Sequence, residues 1–453
     1  MAFSRSARTP AAHPATPVPD DVLRARRLLL GLYLLLGLTV SSWLARLPSI
    51  RASLDLSTGQ LGTILLVGAV GSLLTVLGAG AFVTRWGSRR TLVTAAVIFS
   101  GANLLLGLGP TIGSVPVLLA GILLMSSSFA LGNVPMNVEA VVIERRIGRT
   151  IVPQFHAVFS VGSVLGSLVG AAASWLHAPL LVQFAFISVL TLVWRLRAIP
   201  GAVLDPAPVR SAVAGEPDAP PARRGAGMRE ALSAWRERRT LLIGVVIMAA
   251  ALSEGSANNW LAIAVVDGFE QTEAIAAIVF GIFVAAMTTA RLAGARLIER
   301  FGRTAVLTAS GAVSLVGLLI FGTAPGLPLA VVGVVCWGLG AGLVVPIGMA
   351  AVSADPLKAA GRVAVVSAFA SVSSIATPPL IGLAAEAMGA RHALLLICVA
   401  LVVGTLLSRS VEEAAPGGAE AGRPLDALDP SAEVPDTLEG IAHEPLLPNE
   451  VLR

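Results

Sequence analysis

The sequence predicts an all-α polytopic membrane protein with twelve transmembrane helices in two pseudo-symmetric six-helix bundles. Three observations carry this. The chain is 55% hydrophobic and 13% charged, with mean hydropathy +0.82, against about 25% charged residues in a soluble domain. Its apolar residues fall in a dozen runs, each close to the roughly 20 residues that cross a 30 Å hydrocarbon layer. Two similar basic turns, TRWGSRRTL at 84–92 and ERFGRTAVL at 299–307, follow the second and eighth runs and mark a duplicated unit.

In order, the runs lie near 27–47, 60–83, 91–109, 115–141, 151–174 and 179–196, then 240–263, 274–295, 304–323, 326–352, 363–387 and 392–409. Lipid offers the backbone no hydrogen-bond partners, so each run is a helix, and the runs are too long and too uniformly apolar for barrel strands. The first begins after RARR and lacks a small-residue cleavage site, so it reads as a retained helix. Arg24, Arg26 and Arg27 precede the first run, Arg85, Arg89 and Arg90 follow the second, and Arg145, Arg146 and Arg149 follow the fourth. The alternate connections GPTIGSVP, SWLHAP and FGTAPGLP carry no Lys or Arg, and only Arg46, Arg51 and Arg391 fall on that side. The bias places both termini in the cytoplasm, the chain crossing a bacterial cytoplasmic (inner) membrane many times. Domains are then expected at 23–196 and 240–410. Residues 197–239 form a cytoplasmic linker, with an amphipathic piece near MREALSAWRERR, and 1–22 and 411–453 are disordered tails.

The net charge of +5 does not point to nucleic acid: of 32 basic residues only Lys358 is not arginine, and they cluster between oily runs. Cys336 and Cys398 are too few and too isolated for a disulfide framework or a metal site, and no cofactor is expected. No Gly-x4-Gly-Lys-Ser/Thr loop and no spaced nucleophile, base and orienting group occur, so an enzyme is not expected.

Ionisable and amide side chains within such runs are rare and need a satisfied or functional setting. SEGSANNW holds Glu254 with Asn258 one turn on, then Asn259 and Trp260 near the outer interface. A rise of about 1.5 Å per residue puts Glu254 about 21 Å along its span, beyond the midplane. Two readings stand for Glu254, a proton site or a hydrogen-bonding link between helices. The fourth span carries Asn133 and Asn137, four apart, then Glu139, which either takes part in coupling or pairs with Arg145 or Arg146 at the membrane edge. In the first span Ser42 and Arg46 share a face, with Trp43 beside them. Arg46 either attracts an anionic group or snorkels to water. Arg291 reads as an anchor at the cytoplasmic end of its span. Gln154 and His156 open the fifth span, His156 reading first as a structural group. Gly162, Gly166 and Gly170 permit close helix approach, and Pro378-Pro379 a bend.

GAFVTRWGSRRTL (80–92) resembles the loop signature of the major facilitator superfamily, and SSWLARLPSIRASLDLSTGQLG, NVPMNVEAVVIERRIGR and VPQFHAVFSVGSVLGSLVG are similar to a bacterial branch related to fucose permease. The resemblance implies alternating access about a central site and a conformational latch formed by Arg85, Gly87, Arg89 and Arg90, repeated by Glu299, Arg300, Gly302 and Arg303. Thr84 stands where the family has an acid, so the first latch is expected to be the weaker. Relatives in that branch carry acids at the places of Asn133 and Asn259, which leaves Glu254 and Glu139 for proton coupling. The expected function is a secondary active transporter moving a small polar solute by alternating access, coupled to protons. Substrate-binding candidates are Ser42, Trp43, Arg46, Asn133, Asn137, Asn258, Asn259 and Trp260. The alternatives are a drug or metabolite efflux antiporter and, from another class, a non-transporting membrane sensor or scaffold. Expected partners are the solute, protons and the lipid bilayer, with a monomer favoured.

Overall fold

The computed structural model describes residues 18–204, 233–353 and 358–408. The N-terminal half comprises α1 (Asp20–Leu44), α2 (Leu47–Ser53), α3 (Thr58–Thr111), α4 (Val115–Ile147), α5 (Val152–Trp175) and α6 (Leu180–Ala202). The C-terminal half comprises α7 (Arg238–Phe269), α8 (Glu273–Phe301), α9 (Arg303–Thr323), α10 (Leu327–Val352), α11 (Ala359–Met388), α12 (Ala390–Ala393) and α13 (Ile397–Leu407). Successive crossings alternate in direction. One end of the molecule, the linker end, thus gathers residues 85–90, 147–152 and 299–303, and the far end gathers 45–57, 267–273 and 386–391.

Helix boundaries follow local chemistry. Ser57 and Gln60 form a reciprocal capping box at the start of α3, and Thr272 caps α8. Proline occupies the first turn of α4, α5 and α10, where its missing N–H is harmless. Gly148 closes α4 in the left-handed conformation.

Among the described residues eleven helices are long and apolar enough to cross a membrane, the last running from Ala390 to Leu407, and twelve crossings result because α3 contains two of them. Its 54 residues are continuous except at Gly87, whose φ of 81° and ψ of 160° break the helix. Gly302, between α8 and α9, has φ 80° and ψ 161°. The two signature glycines therefore adopt one backbone conformation, which side chains with a Cβ rarely reach. The duplicated unit seen in the sequence is a duplicated turn in space.

Several sequence expectations move. The first crossing runs from Asp20 to Leu44 rather than from 27 to 47, so the N-terminal tail ends before Asp20. The short far-end helix α2 had no hydropathy signal. α6 continues to Ala202, six residues past its apolar run, because Arg195 and Ala198–Ile199 are buried against the bundle. Of the amphipathic piece expected before α7 only residues from 233 on are described, and they form a turn; the rest of it, most of the linker and residues 411–453 lie outside the described residues.

Glycine and alanine set the spacing between helices. Gly162 and Gly166 of α5 face the carbonyls of Leu34 and Leu38 on α1, and Gly170 faces Ala45, as their spacing predicts. The two halves meet along α3 with α11 and α5 with α8. At the first seam Gly62 abuts Pro378, and Gly382 faces the Thr58 carbonyl, a Cβ there falling 2.7 Å from it. Large side chains such as Leu77, Phe186, Val399 and Leu406 point outward and exposed, a surface suited to hydrocarbon and not to water.

Candidate functional site

Glu254 stands midway along α7, since that helix extends past its apolar run to Phe269. Arg291 of α8 turns inward to meet it, its Nη2 lying 3.1 and 3.3 Å from the two carboxylate oxygens, while its Nε donates to the Gly342 carbonyl of α10 at 3.2 Å. One arginine so joins three helices of the C-terminal half. The anchoring role expected of Arg291 fails because α8 runs on to Phe301, leaving Arg291 about three turns inside the helix. Both side chains are partly open, 26% and 31% exposed, so the pair lines a space and is not sealed in a core.

The N-terminal half offers neutral groups at comparable depth. Tyr33 of α1 donates to Asn137 Oδ1 of α4 at 3.1 Å, and the Asn137 amide donates to the Asn133 carbonyl at 2.9 Å. His156 of α5 is exposed and stands edge-on to Tyr33, ring centroids 5.7 Å apart. Asn133, Asn137, Tyr33 and His156 form the polar cluster of one half and Arg291 with Glu254 that of the other, together the polar belt. Asn258 and Asn259 are half-buried, a turn farther along α7.

Other sequence candidates go elsewhere. Ser42 is fully buried and donates to the Thr39 carbonyl at 2.9 Å. Trp43 and Trp260 are buried, the latter against Gly382 of α11 with its indole N–H unpartnered. Glu139, 2% exposed, accepts from the Leu204 amide near the end of α6 at 3.4 Å. At the linker end Arg85, Arg89, Arg90, Glu299, Arg300 and Arg303 are exposed, Arg300 stacking over Phe301 with 5.3 Å to the ring centroid. Thr84 donates to the Ala81 carbonyl of its own helix.

Arg46 belongs to a different structure, a clasp across the far end. Its Nε lies 3.0 Å from Glu273 Oε2 of α8, at an angle poor for a hydrogen bond, while Nη1 donates to Gln183 and Nη2 to the Ala178 carbonyl. Burial draws the Arg46 guanidinium below its ordinary value, and Glu273 partly offsets this. The Ser49 amide and hydroxyl also donate to Glu273, at 2.8 and 2.6 Å. Arg51 forms a two-pronged pair with Asp267, at 2.6 and 2.9 Å. Ser57 and the Gly59 amide donate to Glu386 of α11. The contacts to Glu273, Asp267 and Glu386 link one half to the other, while Gln183 and Ala178 hold Arg46 within its own half. Sequence reading missed Tyr33, Asp267, Glu273 and Glu386. Only the presence of Arg46 and Arg51 on the side poor in basic residues hinted that acids there await partners.

Comparison with known proteins accords with this architecture. The family model of the Major Facilitator Superfamily matches residues 29–363 and 243–452. An uncharacterized transporter of Sinorhizobium fredii is 29% identical over 361 residues, covering 79% of this chain and 90% of its own length. Among solved structures, the nucleoside transporter NupG superposes with a TM-score of 0.70 at 13% identity, covering 87% of this chain and all of that one. The E. coli fucose:proton symporter FucP does so with a TM-score of 0.59 at 14% identity over the same shares. At such identities the likeness is one of fold.

Proposed function

As the chain belongs to the Major Facilitator Superfamily of membrane transporters, we propose that it moves a small polar solute by alternating access coupled to protons, with both termini in the cytoplasm. The observation that supports the reading is the set of polar groups carried inside apolar helices: a partly open Glu254–Arg291 pair in one half, and neutral amides, a phenol and an imidazole in the other.

The chemistry follows from what these groups do. While Glu254 is ionised it occupies the Arg291 guanidinium, and the site holds no net charge. Protonating Glu254 weakens its hold on Arg291, and the freed donors turn to a solute oxygen. Asn133, Asn137 and Asn258 present both donors and acceptors, suited to hydroxyl or amide groups. NupG and FucP are described as carrying nucleosides and fucose, solutes of this polar, uncharged kind. With the clasp closed and the signature arginines exposed, the belt is reached from the linker end. Opening requires the far-end contacts to part and the signature turns to close, which is the latch role of Arg85, Gly87, Arg89 and Arg90 and of Glu299, Arg300, Gly302 and Arg303.

Purified protein screened by thermal shift against nucleosides, sugars and other polar neutral solutes names a ligand, since binding raises Tm. In proteoliposomes that ligand is expected to accumulate with an imposed pH gradient. Glu254→Gln is expected to retain exchange of solute between compartments and to lose accumulation, whereas gradient-driven accumulation by the variant rejects the coupling role.

A further inference from the structure

Inside the N-terminal half, away from the belt, Arg195 of α6 is 5% exposed with no carboxylate within ion-pair distance among the described residues. Its Nη2 donates to the Leu35 carbonyl at 3.2 Å and to Thr39 Oγ1 at 3.3 Å, and its carbon centre lies 4.7 Å from the Phe99 ring centroid. These neutral partners leave a full positive charge, about 22 Å along α6 from its far end, without a counter-charge. Buried charges at such depth are otherwise paired.

Beside the guanidinium lies a cavity of about 40 Å³ among α1, α3, α4 and α6, walled by Leu36, Ala96, Phe99, Met136 and other apolar groups, with Ser128. The void has room for a small ion. The corresponding void in the C-terminal half, about 20 Å³ among α7, α9, α10 and α13, is lined by Ser253, Ser314 and Thr405 with no cation. The arginine is therefore particular to one copy of the duplicated unit. We propose that the cavity holds a small monovalent inorganic anion, of chloride size, as the counter-ion of Arg195. Leu32, Leu36 and Met136 face this void while their neighbours Tyr33 and Asn137 face the belt, so the ion braces the helices that carry the polar site.

The test uses the full chain in detergent, exchanged into sodium gluconate and titrated with chloride, bromide or nitrate at fixed ionic strength. The expected result is a saturable rise in Tm with each small anion. Apparent affinity falls about tenfold or more in Arg195→Gln, and the response is lost in Ala96→Leu, which fills the void without touching the hydrogen bonds of the guanidinium. Should either variant fail to fold, bromide diffusion into wild-type crystals decides: anomalous density beside Arg195 supports the site, and its absence rejects it. A Tm that responds equally to gluconate, or a saturable chloride response unchanged in Arg195→Gln, overturns the proposal.

Discussion

Single residues of the far-end clasp differ in how much each holds. Arg46 and Glu273 are 6% and 11% exposed, whereas Arg51 and Asp267 are 21% and 33% exposed. Solvent screens the second pair, so its net worth falls within about 1 kcal/mol. Removing Glu273 instead leaves Arg46 buried without its acid, for which the typical penalty is about 3–5 kcal/mol. That penalty falls on the closed state alone, because Glu273 sits on the opposite half and leaves Arg46 once the halves part. Glu273→Ala is therefore expected to speed labelling of Asn258→Cys by a membrane-impermeant maleimide added at the far end, and Arg51→Ala to do so far less. Equal rates in the two variants would show that burial does not set the strength of the clasp.

Helices and turns are the scale at which the sequence was most legible. Runs of apolar residues set the number and order of the crossings, and arginine placement separated the two ends. The repeated basic turns marked a duplicated unit, and Gly87 and Gly302 within them share a conformation. What hydropathy missed were polar residues carried inside long helices. Arg291 falls near the end of its apolar run and so reads as a membrane-edge group until the helix proves one or two turns longer; Arg195, at the end of its own run, drew no reading at all. The identity of a partner is absent from local pattern altogether. Nothing near Arg51 in the chain announces Asp267, because their pairing arises only when two separately folded halves meet. The shared turn carries its own prediction. At φ 80° and ψ 161° a Cβ is strained even though no atom lies within 4 Å of the site at Gly302, so Gly302→Ala is expected to lower stability by about 1–3 kcal/mol. Gly78→Ala, equally open but helical, is expected to leave stability unchanged or slightly raised. Equal Tm changes would remove the conformational argument.

At the scale of the whole molecule, two bundles of like fold meet along small-residue seams, with charge contacts at the far end and exposed arginines at the other. Close-packed seams of this kind change by discrete steps and not by gradual loosening. If the halves rock as rigid bodies, loss of the clasp must close the linker end as it opens the far end. Spin labels at Ser53 and Glu270 report the far end and labels at Thr150 and Ser353 the linker end, all four exposed and paired across the two halves. In reconstituted wild-type protein the expected result is a short far-end distance with a long linker-end one. On Glu273→Ala a second population is expected, far-end distance longer and linker-end distance shorter in the same proportion. A far end that widens while the linker end keeps its distance would contradict alternating access in this protein.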